Sequence, residues 1–283
     1  MGDKAYWSSR IEADLASIAN SNQRLSMPVA NPVYEPQYLF DLAERHLRLM
    51  MRQYSRGDQV ANIGRNFPDL IEAWERSNQK ATEVCEKESI QSCRDWVFRL
   101  DNLNHYNWCF RLIGLALALN IQSSLWDRLV KLVGGEGEDV LLDKVIGSRD
   151  TSRRIGEAIL HPVPYTKLLD CVDADPDVQP GLLKLFVENW YKGLKRPQQQ
   201  KSKSGMIEPY WYSFGDPAKN PLSMGSYFGR WCTEAVGVVK AFSIDDSLCL
   251  GLEHYPGDLI HPRERNASSG QTTEKRWFRK LFW

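Results

Sequence analysis

This 283-residue sequence predicts an all-α protein, and three observations carry that reading. Apolar residues recur every third or fourth position through most of the chain. Proline opens several of these runs and glycine closes others. No stretch alternates apolar and polar residues convincingly enough for a strand. The expectation is an array of about ten helices.

In "YLFDLAERHLRLMMRQY", Phe40, Ala43, Leu47, Met50 and Tyr54 draw one stripe along a helix. "NFPDLIEAWERSNQKATEVCEKE" starts with Pro68 in its first turn, where a missing N–H costs little. Its apolar residues Leu70, Ile71, Trp74, Ala81 and Val84 leave a charged opposite face. "SCRDWVFRLDNLN" follows, then "HYNWCFRLIGLALALN", which is apolar nearly all round and therefore belongs in the middle of the fold. "LWDRLVKLV" stops at Gly134 and Gly135. "EDVLLDKVIG" and "PYTKLLDCV" are short helices, the second entered through Pro164. After the turn "DADPDVQPG", Leu182, Leu183, Phe186, Trp190 and Leu194 line one face of "LLKLFVENWYKGLK", with Glu188 and Lys192 an i,i+4 pair on its wet side. "YFGRWCTEAVGVVKAF" is the last long helix, with Phe228, Trp231, Cys232, Ala235, Val239 and Phe242 facing inward. A connection of about thirty residues precedes it, longer than ordinary loops; its "PYWYSF" carries enough aromatic area to dock onto the body.

Lys+Arg and Asp+Glu both number 36, so the basic excess that supplies most nucleic-acid affinity is absent. None of the six cysteines has zinc-knuckle spacing, and several sit in apolar helical runs as small hydrophobes. No apolar segment has signal-peptide or membrane-spanning length. These features point to a soluble, reduced, cytoplasmic protein that binds neither nucleic acid nor membrane directly and needs no cofactor.

Chemistry-bearing clusters are few. His254, Asp258 and His261 lie within "HYPGDLIH", a two-His, one-carboxylate vocabulary for metal, but Pro256 and Gly257 make the stretch a turn. A metal-dependent hydrolase using these three with Asp245 and Asp246 is one alternative; a helical peptide-binding scaffold is another. No nucleophile elbow or phosphate loop occurs. Glu234, on the face opposite the apolar stripe, reads as a surface or interhelix ion pair with Arg230. Acids cluster twice, at Glu136, Glu138, Asp139 and Asp143, and at Asp170, Asp173, Asp175 and Asp177. Helix-start electrostatics accounts for part of this pattern; an acidic surface for a basic partner accounts for the rest.

The last third carries three motifs in order: Tyr227, Gly229, Trp231 and Glu234; Ile244, Asp245, Asp246 and Ser247; Tyr255, Pro256, Asp258 and Leu259. Together they resemble the C-terminal domain of the PoNi-like immunity proteins. Specificity lies in residues 190–261, while "LAERHLRLMMRQYSRGDQVANIGRNFPDLIEAWE" and "LLDKVIG" are similar to the family's earlier parts. Arg230 and Thr233 depart from the family's larger apolar or aromatic neighbours, and His254 stands where a second tyrosine is common. The resemblance implies an N-terminal helical domain over 1–125, a PoNi-like helical domain over 126–262 and a tail over 263–283 with a basic-aromatic end. It further implies a non-enzymatic, all-α immunity protein that binds a cognate secreted toxin, often a nuclease delivered by a type VI secretion system. The candidate toxin contacts are Asp173, Asp175, Asp177, Glu136, Glu138 and Asp139, with Trp211 and Tyr212 as aromatic anchors. The motif residues, including the Asp245–Asp246 pair as a helix cap, are expected to hold the fold.

Overall fold

In a computed structural model, residues 1–28, 31–90, 98–195 and 208–262 are described. They form α-helices and short 3-10 turns, with no strand among the described residues. The first helix, α1 (Lys4–Leu25), is absent from the periodicity reading. It is largely polar and buries only Trp7, Ile11, Asp14 and Ile18, so tertiary contact decides it. Then α2 (Glu35–Arg56) and α4 (Phe67–Glu88), separated by the single turn α3 (Val60–Ile63), pack against each other and carry α1 on one side. The apolar stripe of α2 is buried as its spacing requires.

The centre of the molecule is α5 (Leu103–Ala118), in which every residue except Asn104 is buried. Around it come α6 (Ser123–Val133), α7 (Val140–Gly147), α8 (Pro162–Asp173) and α9 (Gln179–Gly193). The last helix, α10 (Thr233–Phe242), is shorter than its apolar pattern predicts. Gly229 sits at φ 98°, left-handed backbone that a continuing helix cannot contain, and Tyr227–Cys232 run outside any helix. Glu188 pairs with Lys184 at 3.9 Å rather than with Lys192.

Helix α10 lies directly on α5, where Gly237 meets Gly114 backbone to backbone. Arg52 of α2 reaches from the other side. It pairs with Asp14 at 2.7 Å and donates to the carbonyls of Gly225 (2.6 Å) and Tyr227 (3.3 Å). The N-terminal helices therefore hold the entry to the signature segment in place, and one continuous hydrophobic cluster runs from Ile11 to Leu259.

The helix expected over "SCRDWVFRLDNLN" falls partly on residues 92–97, outside the described ones; of the rest, residues 98–102 lie outside any helix and turn into α5, which takes up Leu103 and Asn104. The tail over 263–283 also lies outside them. Cys109, Cys171, Cys232 and Cys249 are free and buried, whereas Cys85 is disulfide-bonded, which corrects the expectation that every cysteine is reduced. No helix among the described residues is long and apolar enough to cross a membrane.

Candidate functional site

The signature residues converge in the interior. Glu234, expected on the surface with Arg230, is fully buried. Its Oε1 accepts from Asn107 Nδ2 (2.8 Å), Tyr165 Oη (3.2 Å) and Trp190 Nε1 (3.2 Å). Burial pushes its carboxyl pKa up, and the Arg111 guanidinium opposes that rise. Arg111, also buried, lies over the rings of Trp211 (4.7 Å) and Phe228 (5.3 Å). Helices α5, α8 and α9 each contribute one donor to a carboxylate on α10, so a single side chain ties the fold's two halves. The polar pair Asn107 and Arg111, four residues apart in an otherwise apolar helix, was the available sequence signal.

Trp211 is not an exposed anchor. It is 3 % accessible, stacks on Trp190 at 5.7 Å and donates to Asn107 Oδ1 at 3.0 Å. An indole in an aromatic core is worth more buried than presented to solvent. Tyr212 is half-buried, stacked on Tyr191 at 4.5 Å, so "PYWYSF" does dock onto the body. Near that loop, burial pushes the Glu44 carboxyl up to about 7, with Arg48 opposing and Asp41 adding to the rise. Because the folded state keeps this proton where the unfolded chain releases it, the group's contribution to stability falls as pH climbs from 4.5 to about 7. Urea titrations at about pH 5 and about pH 8 should show a smaller loss in Glu44→Gln than in the unsubstituted chain, and equal losses refute this.

The aspartate pair divides its labour. Asp245 is exposed and accepts from Ser247 N at 2.9 Å, closing a turn. Asp246 is buried at the start of a 3-10 turn but makes no side-chain cap, which corrects the capping expectation. Instead it accepts from Tyr255 Oη (2.5 Å) and contacts His261 Nε2 (2.7 Å), joining the second motif to the third. His254 turns elsewhere: its Nδ1 meets the Arg230 carbonyl at 3.1 Å, and Arg230 itself covers the Tyr191 ring. The two histidines thus serve different partners, and no group of three metal-ligating side chains occurs among the described residues. Asp246→Ala leaves the Tyr255 hydroxyl unpaired and should cost roughly 2–3 kcal/mol in a denaturant melt, more than a cap is worth; a loss under about 0.5 kcal/mol contradicts the assignment.

Pro256 is buried, while Asp258 is half-buried in the last 3-10 turn. Of the acids, Asp139 is buried and structural. It caps α7 through Leu142 N (2.7 Å) and accepts from Tyr106 Oη (2.9 Å) and Leu160 N (2.7 Å), so it cannot meet a partner. Its neighbour Asp143, also buried, pairs with Arg153 at 2.7 Å. Glu136 and Glu138 are exposed, Glu136 accepting from Arg154 N at 2.8 Å. Asp173, Asp175 and Asp177 are exposed as well. Asp170 and Asp173 occupy the last turn of α8, the end where the helix dipole disfavours negative charge, and no basic residue sits there. Asp173 is neutralised by Lys144 of α7, the helix that starts just after Glu138, so α7 spans both acidic clusters.

Two family models match the sequence. Residues 1–131 match the PoNe immunity protein (PoNi) N-terminal model, and residues 137–259 the PoNi C-terminal model. The chain belongs to the PoNi family. A search of curated proteins returned no match. Among solved structures, this PoNi chain is similar to protein PA2201 from Pseudomonas aeruginosa, with a TM-score of 0.67 at 18% identity, covering 92% of this chain and 88% of the other. At that identity the likeness speaks for the fold alone. The break between the two matched segments falls at the end of α6 and in the loop before α7, yet the Glu234 network crosses it.

Proposed function

We propose that this PoNi protein protects its producer by binding a cognate secreted toxin, a nuclease, in the cytoplasm and covering its substrate-binding face. It acts by occupancy, without catalysis or cofactor. The helical units 1–125 and 126–262 serve as one rigid platform. The observation that carries this reading is the exposed acidic run at the α8–α9 corner: Asp170 in the dipole-disfavoured last turn of α8, then Asp175 and Asp177 beyond the Asp173 that Lys144 pairs. Helix stabilisation does not explain acids there, whereas a partner with a basic, phosphate-binding face does. Delivery of the toxin by a type VI secretion system belongs to the same reading.

The acids are exposed, so they act through steering and complementary potential more than through burial. Replacing Asp173, Asp175 and Asp177 by lysine should slow association with the toxin encoded beside this gene by at least about tenfold at low salt. The melting temperature should stay nearly unchanged. Binding kinetics read this directly: an unaltered on-rate places the interface elsewhere, and a neighbour that is harmless when expressed alone removes the immunity reading.

A further inference from the structure

Helix α9 presents one outward stripe to solvent. Val178 at its N-cap is 53% accessible and Leu185 is 43% accessible. Gly181, Glu188 and Lys192, all exposed, complete the stripe at steps of three and four residues. One end of the stripe follows Asp175 and Asp177. The other end opens into a cleft of about 450 Å³ whose lining includes Val187, Tyr191, Lys192, Arg230, Leu252 and Glu253. A second cavity of about 230 Å³, lined by Trp7, Tyr227 and Gly229 among others, meets the first at Arg230 and Glu253.

The cations of this cleft lack carboxylates. Arg230 donates through Nη2 to the Phe214 carbonyl at 3.0 Å, its Nε is buried with no acceptor, and it makes no ion pair among the described residues. Its guanidinium is nonetheless fixed in place. Cζ stands 4.4 Å over the Tyr191 ring and 5.9 Å from the Tyr227 ring, and Tyr191 is backed by Tyr212 at 4.5 Å. Lys192, on the same wall, also makes no ion pair among the described residues, since Glu188 turns to Lys184 at 3.9 Å. A planar guanidinium already held by packing loses little freedom when it bonds a carboxylate, and its fork matches the two oxygens.

We infer that the outer stripe of α9 lies across the toxin, and that Arg230 and Lys192 receive an acidic side chain of it. This rests on the immunity reading above and gives the partner's surface two signs: bases opposite Asp175 and Asp177, and a carboxylate opposite the cleft. The two ends stand about 22 Å apart along the helix. A standard interface covers about 800 Å² per partner, a patch about 30 Å across, so one toxin spans both. Val178 and Leu185 supply apolar area between them. The reversed sign fixes the register, because a partner turned end for end sets like charges against each other. Glu253, exposed and without an ion pair among the described residues, is the rival within the chain for Arg230.

Association and dissociation rates of the full chain against the toxin encoded beside this gene provide the test. Lys192→Glu should dissociate about tenfold faster than the unsubstituted chain, although its added negative charge favours association with a basic toxin. Arg230→Gln should dissociate at least as fast. Its melting temperature is read alongside, because Arg230 also packs on Tyr191, and the exposed Lys192→Glu carries the test should that variant misfold. Glu253→Gln removes the rival carboxylate and should slow dissociation about threefold. Unchanged or slower dissociation of Lys192→Glu overturns the inference, while continued binding by the unsubstituted chain keeps the immunity reading. Faster dissociation of Glu253→Gln also overturns it, since that acid then meets the toxin itself. A neighbour that the unsubstituted chain does not bind removes the immunity reading and this inference with it.

Discussion

Glu234→Ala should lower the unfolding free energy by about 3–5 kcal/mol, a large share of the total for a typical domain. The loss has two parts. Three donors from Asn107, Tyr165 and Trp190 lose their shared acceptor in a site that water does not reach. Arg111 also keeps its charge in the core while the nearest opposing carboxylate disappears. Glu234→Gln retains the acceptor and removes the charge, so it should fall between the two. Urea denaturation of Glu234→Ala, Arg111→Met and the double variant separates the parts. A double loss well below the sum of the singles shows the coupling, and strict additivity denies it. Toxin affinity of any variant that still folds should hold, because none of these groups is exposed.

Gly114→Ala should be at least as damaging for a purely steric reason. A methyl group on Gly114 would stand 2.1 Å from the Thr233 carbonyl oxygen, and one on Gly237 would stand 2.6 Å from Gly114 Cα. Both obstacles are backbone, so no rotamer change relieves them. The Thr233 hydroxyl also donates to the Arg111 carbonyl at 3.1 Å, fixing the two helices at that crossing. Overpacking of a tight core costs typically 1–3 kcal/mol, and a backbone contact belongs at or above the upper end. The expected readout is a clear drop in denaturation midpoint, or insoluble expression. Wild-type stability in Gly114→Ala would mean that α5 and α10 do not meet there.

These two sites show where legibility ended. Periodicity located α2, α4 and α9 because each buries a stripe, and a stripe is written at fixed spacing, while α5 was found by its apolar run. It missed α1, whose polar surface hides four inward residues, and it lengthened α10 back through Gly229 to Tyr227. Glu234 was misread because a carboxylate near an arginine in sequence looks like a surface pair. Its real partners lie far away along the chain, and spacing carries no information about them. Trp211 and Asp139 failed as interface candidates for the same reason: an aromatic or an acid in a loop looks exposed until the fold closes over it.

The sequence by itself determined the helical class, the central place of α5 and the family, since composition, periodicity and ordered motifs are local properties of the chain. It also marked the exposed acids of the α8–α9 turn, whose polarity keeps them in water. Only the tertiary structure decided that the signature carboxylates are internal ties, with Glu234 joining four helices and Asp246 joining Tyr255 to His261. A buried charge survives where several donors converge on it, and convergence is set by packing, not by the order of residues.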